Sequence, residues 1–89
     1  NDMVALGAYR AAEELSLRIP EDVSVMGFDG TELIQRWCPS LTTVNVRPYE
    51  VGRQSAKLLL KIIRSEIKNT PVRELIKAEI LQNTSVRSL

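Results

Sequence analysis

A β-branched, apolar run, Val23-Ser24-Val25-Met26-Gly27-Phe28, lies between two stretches with helical spacing, and this alternation most restricts the fold. The run follows Pro20-Glu21-Asp22 and reads as a strand ending at Gly27 or Phe28. Ahead of it, Asp2 to about Leu15 reads as a helix. Asn1 and Asp2 are good capping residues, Ala5, Ala8, Ala11 and Ala12 favour helix, and Pro20 cannot continue one. Met3, Leu6, Tyr9 and Glu13 share one side, and Val4, Ala8, Ala11 and Leu15 the neighbouring side, so cover is expected on more than one side.

Beyond the run, Thr31 to Arg36 fits a short helix capped by Asp29 or Thr31. Leu41 to Val46 fits a second strand. Pro48 suits the first turn of a long helix running to about Lys68. Its inward positions are Val51, Ser55, Leu58, Leu59, Ile62 and Ile63. Asn69-Thr70-Pro71 reads as a loop, and the tail as a strand centred on residues 78–83. Helix and strand in alternation predict an α/β layered fold, with helices on a mostly parallel sheet.

Composition excludes several functions. The chain has 89 residues, with 12 basic and 11 acidic ones, for a formal charge of +1. That balance gives no basic footprint for phosphate backbones. There is no histidine, and Cys38 is the single cysteine. A disulfide within the chain, a Cys/His metal site and histidine acid–base chemistry are therefore ruled out. No cofactor is expected. No apolar run approaches the roughly 18 residues of a membrane span, so no membrane partner is expected, and the lone thiol suits a reducing compartment. The opening Asn1-Asp2, without an initiator methionine, reads as a piece of a longer protein.

Asp29-Gly30 is turn chemistry at the carboxyl end of the first strand. Ligands of open α/β sheets gather at such ends, which makes Asp29 the best-placed polar side chain. Its plainer role would be to cap the Thr31 turn. Gly27-Phe28-Asp29-Gly30 is not a phosphate loop: the glycine spacing is wrong and no Lys-Ser/Thr follows. The pairs Glu13/Glu14 and Glu21/Asp22 fit solvated surfaces better than a catalytic pair. Ser24, Ser40 and Ser55 have no histidine to activate them. The chain is not expected to be an enzyme.

Three motifs carry a family resemblance: Asn1-Asp2-x-x-Ala5-x-Gly7-Ala8, Ile19-Pro20-Glu21-Asp22-Val23-Ser24-Val25-Met26-Gly27-Phe28-Asp29, and Pro39-Ser40-Leu41-Thr42-Thr43-Val44. With Gly52, Leu58-Leu59-Leu60 and the terminal Asn83-Thr84-Ser85, the chain resembles the C-terminal part of LacI/GalR transcription regulators from end to end. The resemblance implies part of a periplasmic-binding-protein-like domain: two doubly wound α/β lobes with a small effector between them. Residues 1–45 and 76–86 would belong to the C-terminal lobe and the helix within 48–70 to the N-terminal one. Chain crossings would follow residues 44–46 and lie near residues 72–76. Such a piece is expected to leave apolar helix faces uncovered, unless further segments, a second copy or a rearrangement covers them.

The resemblance also implies roles. Asp29 and Asn1 would contact the effector, a sugar or nucleobase-like molecule, while Asn1 has helix capping as an equal alternative and Asp2 would be a cap or a lobe contact. Gly30 stands where a second aspartate is frequent. Leu6, Tyr9, Arg10 and Glu13, with Trp37 and Cys38, would lie at a homodimer interface; Trp37 has local packing, and Cys38 a small buried hydrophobe's role, as alternatives. Operator DNA would be bound only through a helix-turn-helix domain absent from these residues, in the cytoplasm. A periplasmic solute-binding protein for sugar transport is the alternative.

Overall fold

The computed structural model describes residues 1–69 and 71–88. Thr70, in the expected Asn69-Thr70-Pro71 loop and at the expected 48–70 boundary, lies outside the described residues. The elements run α1 (Asp2–Glu14), β1 (Met26–Asp29), α2 (Glu32–Trp37), β2 (Thr42–Asn45), α3 (Pro48–Ile63) and β3 (Glu79–Leu81). Every expected element is present and in order.

The three strands form one sheet in the order β1-β2-β3. β1 pairs parallel to β2, with Gly27 opposite Thr43 and Asp29 opposite Asn45. β2 pairs antiparallel to β3, with Val44 opposite Ile80. The sheet is thus mixed rather than mostly parallel.

β1 starts three residues later than expected. Val23–Val25 is extended alongside the tail instead: the Val25 amide donates to the Ser85 carbonyl at 2.9 Å, and the Arg87 amide to Ser24 Oγ at 3.2 Å. Ser85, 1% exposed, bridges the two halves of the sheet. It accepts from the Thr42 amide at 2.7 Å and donates to the Val25 carbonyl at 2.6 Å.

α1 ends at Glu14 with Leu15 as its cap, as expected, whereas α3 ends earlier than its apolar pattern suggests; both helices are closed in the same way. Ser16 and Ser65 adopt left-handed backbone, with φ of 56° and 59°. At each end, the serine amide donates to the carbonyl of the second-last helical residue and the next amide reaches one residue further back: Ser16 to Glu13 and Leu17 to Ala12, Ser65 to Ile62 and Glu66 to Lys61. This is the Schellman closure usually built on glycine. It stops α3 at Ile63 rather than near Lys68.

The core sits between α1 and one face of the sheet: Ala5, Ile34 and Leu41, with Leu6, Tyr9, Val25 and Cys38 packed against it. α3 buries no residue at all. Of its expected inward positions, Val51, Leu59, Ile62 and Ile63 are all exposed. The molecule is accordingly elongated, 58 × 24 × 18 Å with a radius of gyration of 18.0 Å, against about 12 Å for a compact domain of this length. The apolar helix faces left open in the sequence reading are open in the structure.

Candidate functional site

The carboxyl ends of β1 and β2 meet the N-terminus of α3, and a groove of about 430 Å³ opens there. Gly30, Thr31 and Glu32 line one wall, and Asn45, Arg47, Pro48, Tyr49 and Glu50 the other. The walls touch where Gly30 meets Asn45. A Cβ at position 30 would lie 2.6 Å from the Asn45 Cα, and Gly30 has φ of +66°. Only glycine fits this close approach without strain. The aspartate frequent there in the resemblance would not fit this backbone.

Asp29 closes β1 at the head of this groove. It is half-buried with φ of 119°, a conformation that non-glycine residues occupy only when their surroundings impose it. Its carbonyl accepts from the Val46 amide at 3.2 Å. Among the described residues its carboxylate is engaged by no hydrogen bond or ion pair. It does not cap α2: the cap is Thr31, without a side-chain bond. The plainer role for Asp29 is therefore not the one adopted.

Asn1 does cap α1, its Oδ1 accepting from the Val4 amide at 3.0 Å. Asp2 does not join the cap. It is 1% exposed and reaches across the sheet, accepting from the Gly30 amide at 2.9 Å and from Thr43 Oγ1 at 2.6 Å.

Several groove residues escaped the sequence reading. Arg47 is left-handed, with φ of 55° and ψ of 58°, and its amide donates to Asn45 Oδ1 at 2.8 Å. The signal was an Asn two residues ahead, the spacing of an Asx turn. The Arg47 guanidinium lies 4.0 Å from Glu79, which starts β3. Glu50 accepts from Arg53 at 2.9 Å and from Gln54 at 2.7 Å. The Arg53 hydrogen bond, ahead of that of Gln54, holds the Glu50 carboxyl at about 2 against its usual 4.5. Tyr49 presents its ring to solvent at the rim. The groove thus offers carboxylates and an amide for hydroxyl groups, one guanidinium, and one aromatic face, a set suited to a small polar ring. Among the described residues no three of His, Cys, Asp and Glu cluster as metal ligands, and no helix is long and apolar enough to cross a membrane.

The remaining expected site residues divide in two. Leu6, Tyr9 and Cys38 pack against the core from its rim. Tyr9 Oη lies 3.1 Å from Ser40 Oγ, and Cys38 Sγ 3.6 Å from the same atom. Arg10 and Glu13 are exposed and paired with one another, Arg10 also with Glu14. Trp37 ends α2 with 69% of its surface exposed, so it is not tucked beneath the loop.

Comparison with known proteins agrees with this geometry. The periplasmic binding protein-like domain family matches residues 1–86. The repressor PurR of Vibrio atlanticus is 37% identical over 89 residues, covering 100% of this chain and 26% of its own. The repressor CytR of Escherichia coli gives the same values. The ribose operon repressor of Halalkalibacterium halodurans is 44% identical over 66 residues, covering 74% of this chain and 20% of its own. The crystal structure of a LacI-family transcriptional regulatory protein from Corynebacterium glutamicum superposes with a TM-score of 0.81 at 35% identity, covering 97% of this chain and 33% of that one. The chain belongs to the periplasmic-binding-protein-like domain family, in its LacI/GalR regulator branch. It spans about a quarter of the length of the curated relatives it matches.

Proposed function

We propose that the chain is the effector-sensing and dimerising part of a bacterial transcription regulator, with Asp29 as an effector contact. The observation that carries this reading is the Asp29 carboxylate, free of protein partners among the described residues, at the carboxyl end of β1 and beside an open groove. An ionised carboxylate only accepts, which suits a polyol. A sugar or related metabolite fits the groove, and one relative is a ribose operon repressor. Asn1, at the start of α1, would offer a second contact through its amide group.

Residues 1–45 and 76–86 would form one lobe and the helix within 48–70 part of the other, which accounts for an α3 that buries nothing on the core. The effector would bind one arrangement of the lobes more tightly and shift the population toward it. In a homodimer, that shift would re-space two DNA-binding domains carried elsewhere in the regulator, coupling effector and operator. Exposed Trp37, with Arg10 and Glu13 and the adjoining edge of Leu6, Tyr9 and Cys38, supplies the dimer surface. Operator binding would not reside in these 89 residues, whose net charge is +1. No catalysis is assigned, and the setting is the cytoplasm. A sugar-transport binding protein would share the fold, but the three relatives named above, each a repressor, favour the regulator.

The test is a mobility-shift assay with the full-length regulator and its upstream operator region. A sugar or nucleoside that changes operator affinity without being consumed is the expected result. Specific operator binding by residues 1–89 alone, or turnover of the added compound, would contradict the reading.

A further inference from the structure

Asp2 is a fully buried carboxylate on a chain with few buried polar groups, and capping does not use it, because Asn1 caps α1. Its two oxygens are spent on two different strands. One accepts from the Gly30 amide, directly after β1, and the other from the Thr43 hydroxyl within β2. Both are charge-assisted bonds to an acceptor-only group. β1 makes room for that carboxylate: Gly27 carries no Cβ, and one there would overlap Asp2 Oδ1. Gly27 and Gly30 thus flank Asp29 for separate reasons, one to admit the Asp2 carboxylate and one to close against Asn45. Asp29 holds its positive φ while the single peptide unit that follows it is tied at both of its polar atoms, the Gly30 amide to Asp2 and the Asp29 carbonyl to the Val46 amide.

We infer that Asp2 is the positioning residue of the Asp29–Gly30 turn, its buried carboxylate fixing the backbone that carries Asp29 beside the groove. Because Asp2 follows Asn1 directly, the same carboxylate locks the start of α1 to that turn. The two candidate effector contacts are then presented by one rigid unit. This deepens the proposed sensing role and rests on it only where Asp29 is taken to touch the effector.

The experiment uses the full-length regulator as wild type and as Asp2→Ala, Asp2→Asn and Asp29→Asn. Amide hydrogen exchange is followed at Gly30, with Ala12 and Cys38, whose amide donates to the Ile34 carbonyl at 2.8 Å, as references. Asparagine can still accept from Gly30, and can donate to a turned Thr43 hydroxyl. The expected result is Gly30 exchange faster by about tenfold in Asp2→Ala, the scale of one lost net hydrogen bond, with recovery in Asp2→Asn and no change in Asp29→Asn. Unchanged Gly30 exchange in Asp2→Ala overturns the inference. So does an acceleration shared equally by Ala12 and Cys38, which marks a general loss of structure. Should Asp2→Ala fail to fold, Thr43→Val frees one carboxylate oxygen and must speed Gly30 selectively. Calorimetry with D-ribose separates the two claims. If Gly30 responds to Asp2 but neither Asp2→Ala nor Asp29→Asn alters D-ribose affinity, the positioning role stands and the contact role of Asp29 fails.

Discussion

Gly30 packs directly against Asn45, so closely that a Cβ at position 30 would stand 2.6 Å from the Asn45 Cα. This contact joins the ends of two parallel strands and forms the floor of the groove. Gly30→Ala must move one of them, and must also hold a side chain at φ of +66°. The expected cost is about 1–3 kcal/mol, read as a lower urea midpoint for the full-length protein. An unchanged midpoint would show that the turn can relax away from Asn45.

The serine helix ends make the opposite prediction. Left-handed backbone costs a non-glycine residue about 1–2 kcal/mol. Ser16→Gly and Ser65→Gly keep both closing bonds of each Schellman turn. Each is expected to stabilise by about 0.5–1 kcal/mol after glycine's greater unfolded-state entropy is subtracted. Chemical denaturation of the two single variants checks the sign.

Ser85 ties three segments with one hydroxyl. Ser85→Ala leaves the Thr42 amide and the Val25 carbonyl without that partner in a buried setting. A loss of about 1–3 kcal/mol is expected, together with faster proteolysis of the tail after β3. Val86 and Arg87, just beyond, are exposed and should tolerate alanine.

Two surface ion pairs set an acid response. The Arg18 side chain, then its amide, hold the Asp22 carboxyl at about 2 against 3.8; Arg53 does the same for Glu50, at about 2 against 4.5. Both groups titrate lower in the folded chain, so their stabilisation is complete above the unfolded values and is lost as pH falls toward 2. Both pairs lie at the surface, so high salt should shrink the effect. Arg18→Ala and Arg53→Ala are expected to flatten the fall in denaturation midpoint between neutral and strongly acid pH. Equal acid slopes in wild type and both variants would remove these pairs as its cause.

The sequence made the order of elements legible because each carried a local signal: the Asn1 cap, the Val23–Phe28 run, Pro48 at the head of α3. It also singled out Asp29, from its place after a strand. What it hid depended on partners distant along the chain. Asp2 read as a cap because capping is what an aspartate at a helix start usually does; its real partners, Gly30 and Thr43, are brought near only by the sheet. The end of α3 was overrun because serine is not the residue expected in a left-handed closure. Arg47, Tyr49 and Glu50 joined the groove only once α3 was placed against the strand ends. The apolar face of α3 was legible as a face, and its exposure followed from the lobe boundary that the resemblance implied.

The central claim is that Asp29 touches the effector. Calorimetric titration of the full-length regulator against a panel of pentoses, hexoses, nucleosides and purines, repeated with Asp29→Ala, tests it most directly. The account predicts that the compound bound by wild type is bound at least about tenfold more weakly by Asp29→Ala, a difference of about 1.4 kcal/mol, with the thermal midpoint little changed. Equal affinities in the two proteins would contradict it.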